Sequence, residues 1–208
     1  TGMSRDVMTL AHELGHGIHM YLSRPRGYFG AYTPLTTAEM ASVFGEMLVF
    51  SALIERETDP RRRLAMQAGK IEDTFATVFR QVSMNRFEQA IHTQRRTQGE
   101  LTTQQYSDQW MESQRAMFGD SVTLRPDYST WWSYIAHFIH TPGYVYAYAF
   151  GELLVLALFN KYRHEGAGFV PKYLDVLGAG GSDAPERILG RVGVDLTDPG
   201  FWQEGLQA

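Results

Sequence analysis

The run Leu10-Ala11-His12-Glu13-Leu14-Gly15-His16 lies in a segment whose apolar or small positions, Val7, Leu10, Ala11, Leu14 and Ile18, recur at the spacing of one helix face. A helix is therefore predicted from Ser4, a suitable N-cap, with Asp6 at its positive end, to about Leu22, where Arg24-Pro25 stops it. At about 3.6 residues per turn the imidazoles of His12 and His16 stand one above the other, close enough to bind one divalent cation. Glu13 lies about 100° round the helix from His12, so its carboxylate flanks that cation and can take a proton from a water beside it. This pattern points to a zinc site and to metal-assisted hydrolysis of a peptide bond. His19 shares the face of His12 but sits about 10 Å further along the axis, too far for the same ion, and reads as a partly buried histidine.

A chain of 208 residues with 44% hydrophobic content can bury a full core, and one helical domain over residues 1–208 is predicted. The net charge of −4, with Arg61-Arg62-Arg63 as the one short basic cluster, argues against a nucleic-acid or anionic-membrane surface. The absence of cysteine removes disulfides and thiolate ligands and fits a reducing compartment, so a cytoplasmic location is predicted. The apolar run Tyr144 to Phe159 is shorter than the roughly 20 residues a membrane span needs and contains Glu152; it reads as a core helix. The chain opens Thr1-Gly2-Met3-Ser4 without a secretory signal and reaches the motif almost at once, leaving little upstream to build the second wall of a cleft.

Between Ser23 and Leu35, Pro25, Gly27, Gly30 and Pro34 alternate with Tyr28, Phe29 and Tyr32, which predicts turns or a short extended piece rather than helix. A second helix is predicted from Thr36 or Thr37 to about Thr58, carrying Glu39 and Glu46 on one face with Ser42 between them. Glu39 has two readings at this point. Thr36-x-x-Glu39 is a capping box, in which the carboxylate bonds backbone amides; alternatively, Glu39 is the third protein ligand that a site with two histidines lacks. A long amphipathic helix follows from Pro60 to about Gln98, ended by Gly99, and another from the cap signal at Thr102 to Gly119. His92, without an acidic or histidine neighbour at metal spacing, reads as structural. The aromatic stretch Trp131 to His140 precedes a break at Thr141-Pro142-Gly143, after which Tyr144 and Tyr148 share one face of a further helix and Tyr146 points away. Short helices fill the tail, with Pro185 and Pro199 near helix starts. No strand signal or repeat is present, so the fold class is all-α, a multi-helix zincin-like core with the metal-binding motif on an N-terminal helix.

The chain resembles the oligoendopeptidase F branch of the thimet-oligopeptidase-like zinc peptidases. The resemblance rests on Thr9 to His16, on Ala38-Glu39-Met40-Ala41-Ser42-Val43-Phe44-Gly45-Glu46, and on His137-Phe138 followed by Pro142 to Ala149. It continues through Gly180-Gly181-Ser182 and Gly193-Val194-Asp195-Leu196. The chain departs from the family pattern at Ile139, Gly143 and Gly45. The resemblance implies a helical catalytic core, one zinc per chain, cytosolic cleavage of short oligopeptides, and Glu39 as third ligand. Glu46 is then expected to orient a ligand imidazole.

In the segment that resembles the family's substrate wall, Tyr148 and His137 are the candidates for stabilising the oxyanion, with Tyr144 and His140 as substrate contacts. Family members are roughly three times this length, beyond a typical single domain. The chain is therefore expected to correspond to the catalytic C-terminal part, and exposed apolar surface predicts self-association or pairing with a missing N-terminal segment. Two functions from different classes follow: a zinc endopeptidase with Glu13 as general base, or a metal-binding helical fragment with little turnover of its own.

Overall fold

In the computed structural model of the chain, residues 4–207 are described, the Ser4 side chain excepted, so the predicted Ser4 cap lies outside the described side chains. The helices are α1 (Ser4–Ser23), α2 (Gly27–Ala31), α3 (Leu35–Ala38), α4 (Met40–Arg56), α5 (Pro60–Phe75) and α6 (Gln81–Gln98), with a π-helical turn at Ala76–Arg80 joining the last two. They continue as α7 (Thr103–Phe118), α8 (His137–His140), α9 (Tyr146–Glu165), α10 (Phe169–Ala179), α11 (Pro185–Gly190) and α12 (Pro199–Gln207). A 3-10 segment, Pro126–Tyr134, precedes α8. The fold is all-α, with no strand among the described residues.

The chain divides into two compact units, one comprising residues up to Ile71 together with Phe150 onward, the other Glu72–Ala149. In the first, Leu154, Val155 and Leu158 of α9 are fully withdrawn from water and pack with Met40, Phe44, Phe169, Val176, Ile188 and Leu189. This burial makes α9 the core helix its apolar run predicts. Glu152 on the same helix is buried too, with the Lys70 ammonium 3.5 Å from its Oε1. Tyr173 is almost wholly buried and donates its hydroxyl to the Met40 carbonyl across 3.1 Å; burial pushes its pKa up because a phenolate there would have no water.

The close crossing of α1 and α4 follows from two glycines. A Cβ on Gly15 would lie 2.4 Å from the Ala41 carbonyl oxygen, and one on Gly45 would lie 3.0 Å from the Ala11 carbonyl oxygen. Gly15 has no room for a side chain, at Gly45 the Ala11 carbonyl would have to give by a few tenths of an ångström, and the backbones meet there through Gly15, Ala11, Ala41 and Ser42. That approach brings the side chains of α1 within bonding distance of those of α4.

Three local expectations are corrected. The Ser23–Leu35 segment contains a 3-10 turn and the short helix α2, not an extended piece: Gly27, at φ 72°, reverses the chain and a new helical turn starts from it. Helix α2 is tied down from outside, since its Gly30 carbonyl accepts the Gly181 N–H at 2.8 Å. The predicted second helix is interrupted at Glu39, whose φ of −90° and ψ of 0° separate α3 from α4. The capping box is absent, for Thr36 Oγ1 is buried without a hydrogen-bond partner and the Glu39 carboxylate bonds elsewhere. Among the described residues, Leu35–Arg56 is the stretch long and apolar enough to cross a membrane, although it includes that break and sends Met40, Ala41 and Phe44 into the core.

The second unit has its own core, in which Phe87, Ile91, Trp110, Met111 and Val145 are buried and Phe138 packs against them. Helix α7 opens with the predicted capping box: Thr102 Oγ1 accepts from the Gln105 N–H and the Gln105 side chain accepts from the Thr102 N–H. His92 is corrected as well. Its Nε2 lies 3.6 Å from Oε1 of Glu88, one helical turn earlier, so it does have an acidic neighbour at i−4.

Candidate metal centre and active site

Helix α1 presents His12 and His16 on one face, and their Nε2 atoms are 3.1 Å apart. The α1–α4 crossing brings Glu39 Oε2 to 3.3 Å from His12 Nε2 and 3.4 Å from His16 Nε2. Glu39 stands at the junction of α3 and α4, and its carbonyl already accepts the Val43 N–H at 3.0 Å as the first bond of α4. The three donor atoms form a nearly equilateral triangle. A tetrahedral cation with ligands at about 2.0–2.1 Å would separate its donor atoms by about 3.3–3.4 Å, a spacing that the three sides of 3.1, 3.3 and 3.4 Å fit. All three side chains are between a fifth and a third exposed, so the cluster is partly open to solvent.

Two neighbours fix that arrangement. His12 donates its Nδ1 proton to Glu46 Oε1 at 2.6 Å, which leaves Nε2, the nitrogen near Glu39 and His16, unprotonated. Ser42, completely buried, donates its hydroxyl to Glu39 Oε2 at 2.8 Å and lies within 2.9 Å of the Glu39 carbonyl oxygen. With one proton to give, the hydroxyl bonds one of these two Glu39 oxygens at a time. Sequence reasoning misses this role of Ser42, although its i+3 spacing from Glu39 is visible. The close-approach glycines, Gly15 and Gly45, escape it for a different reason: in a helix, glycine registers only as weak propensity.

Glu13 is exposed on α1, next to His12 in sequence. His19 is buried, and its pKa is pushed down to about 4, first by loss of water around the ring and second by the His16 charge. It is a core histidine, more deeply buried than predicted.

The remaining candidates lie in the second unit. His137 Nε2 is 3.2 Å from the Tyr148 hydroxyl, the rings of Tyr144 and Tyr148 meet edge to face at 5.1 Å, and His137 stacks on Tyr144 at 6.0 Å. The break at Thr141-Pro142-Gly143 brings α8 and the start of α9 together in this way. His140, at the end of α8, is exposed and stands outside the cluster.

Residues 3–208 match Peptidase family M3, and the chain belongs to that family. It is 34% identical to the oligopeptidase PepF of Bacillus subtilis over 93% of this chain and 29% of that protein. It is 31% identical to an oligoendopeptidase F homolog of Borreliella burgdorferi over 93% of this chain and 33% of the relative. Among solved structures, oligoendopeptidase-F from Enterococcus faecium superposes with a TM-score of 0.83 at 30% identity, over 98% of this chain and 37% of the other. The chain thus spans about a third of the length of the relatives it matches.

Proposed function

We propose that this chain carries the catalytic centre of a zinc-dependent metalloendopeptidase that hydrolyses short oligopeptides. The observation that carries the reading is the triangle of His12 Nε2, His16 Nε2 and Glu39 Oε2, with sides of 3.1, 3.3 and 3.4 Å. Two imidazoles and one carboxylate, all partly exposed, suit a single catalytic zinc. When bound there, zinc supplies Lewis-acid polarisation of the scissile carbonyl and makes a water acidic near neutral pH. Glu46 holds the His12 ring in the tautomer that leaves Nε2 unprotonated, and Ser42 holds Glu39.

Glu13 acts as general base, accepting the proton of the attacking water and returning it to the leaving amine. Tyr148 and His137 donate hydrogen bonds to the oxyanion that develops on the peptide carbonyl. Tyr144 and His140 contact the substrate backbone. Names of the relatives support oligopeptides as the substrate class: one is called an oligopeptidase and others are called oligoendopeptidases. A cytoplasmic site of action and a single catalytic domain over 1–208 complete the reading, with apolar side chains exposed along α1, Leu10, Leu14 and Ile18, available for self-association or for further chain.

Zinc titration by calorimetry tests the centre. One tight site per chain is expected, lost in His16→Ala and in Glu39→Ala. Binding unaffected by both substitutions would overturn the assignment. One tight site accompanied by no peptide turnover would favour the alternative, a metal-binding helical unit that needs more chain to act.

A further inference from the structure

We propose that Glu88 is a positioning residue that sets the turn carrying Tyr144 and Tyr148, acting through the Gly143 amide. The inference rests on the reading of Tyr148 and His137 as working groups of the peptidase site. Glu88 lies on α6, next to Phe87, whose ring packs on Phe138 of α8 at 5.0 Å. Its side chain is only 4% exposed, which for a carboxyl group is costly unless bonded. Oε1 accepts the Gly143 N–H across 2.5 Å, a bond between residues 55 apart in sequence.

The geometry of the turn shows why this bond matters. Gly143 has φ of 79°, in the left-handed region, while a Cβ there would meet nothing within 4 Å, so the glycine serves the backbone angle and not a lack of space. Pro142 has no N–H. On either side, Thr141 N–H bonds the His137 carbonyl at 3.0 Å and Tyr144 N–H bonds the Thr141 carbonyl at 3.2 Å. Those bonds close the turn on itself; the Gly143 amide is the one that reaches out of it, and Glu88 fixes it to α6. The direction in which α9 starts, and with it the 3.2 Å approach of the Tyr148 hydroxyl to His137, depends on where that amide is held.

The test compares Glu88→Ala, Glu88→Gln and Tyr148→Phe in the same protein, measuring kcat and KM on a quenched fluorescent peptide, zinc content, and hydrogen exchange at the Gly143 amide. Glu88→Ala should lose exchange protection at Gly143 and lower kcat by about 10- to 10²-fold, the scale of an ångström-sized misplacement, with zinc content unchanged. Glu88→Gln should restore protection and kcat to within a few-fold, since its carbonyl oxygen still accepts. Unchanged Gly143 exchange in Glu88→Ala overturns the proposal. So does parent-like kcat in Glu88→Ala when Tyr148→Phe is impaired, and so does an equal loss of stability and zinc in both Glu88 variants. A parent-like Tyr148→Phe overturns the underlying assignment of Tyr148 instead, and Gly143 exchange then still reports on the Glu88 bond.

Discussion

His12 Nδ1 and Glu46 Oε1 are 2.6 Å apart, and that bond decides which nitrogen of His12 faces Glu39 and His16. A carboxylate behind a ligand imidazole typically raises metal affinity by about 10- to 10²-fold. Glu46→Ala should weaken zinc binding by that factor, whereas Glu39→Ala should abolish retention after dialysis. Metal analysis of the two variants side by side checks the order. If Glu46→Ala loses zinc and Glu39→Ala keeps it, the two roles are reversed.

The glycine at the helix crossing yields a second prediction with an internal control. In Gly15→Ala the new methyl would lie 2.4 Å from the Ala41 carbonyl oxygen, so α1 and α4 must separate. Overpacking of this kind costs about 1–3 kcal/mol, and it should reduce zinc affinity because the ligands come from both sides of the crossing. Gly17, two residues on, has nothing within 4 Å of the place its methyl would take, and Gly17→Ala should be stabilising by about 0.5–1 kcal/mol. Thermal unfolding with zinc analysis separates the two; equal Tm shifts would refute the crossing argument.

The motif His12-Glu13-x-x-His16 is legible in the sequence because its geometry is local: three residues on one helix stand in the same relation whatever surrounds them. Glu39 is legible as a candidate only. Its i−3 threonine spells a cap, and the approach of its carboxylate to His12 and His16 depends on how α1 and α4 cross, which no local pattern encodes. Gly15 and Gly45 carry the crossing, yet glycine in a helix looks the same whether it faces solvent or another backbone. The Glu88 to Gly143 bond joins residues 55 apart, beyond any periodicity. His92 shows the opposite failure, since its i−4 neighbour Glu88 stands in plain view and a reading of His92 as lacking an acidic neighbour overlooks it.

A third prediction concerns acid. Buried His19 has its pKa lowered from 6.5 to about 4, so the folded state refuses a proton that the unfolded state accepts. Stability from this residue is therefore fully present above pH 6.5 and is lost as pH falls toward 4, by roughly 3 kcal/mol in all. Urea unfolding of the parent and of His19→Asn at pH 7 and pH 4.5 should show the parent losing more stability than the variant. Parallel losses would mean that other groups account for the acid sensitivity.

Glu13 gives a fourth. An amide in its place can occupy the same exposed position but cannot accept a proton, so Glu13→Gln should retain zinc and lose about 10²-fold or more of its peptide hydrolysis. Assay on a purified sample, with zinc measured alongside, checks both halves. A variant as active as the parent would assign the turnover to another base.

Hydrolysis of a quenched fluorescent oligopeptide, with metal content measured on the same sample before chelation, after chelation and after zinc is returned, tests the central claim most directly. One zinc per chain is predicted at the start, with turnover lost on chelation and regained as one equivalent is added back. Turnover that persists in the metal-free protein, or a protein that takes up no zinc, would contradict it.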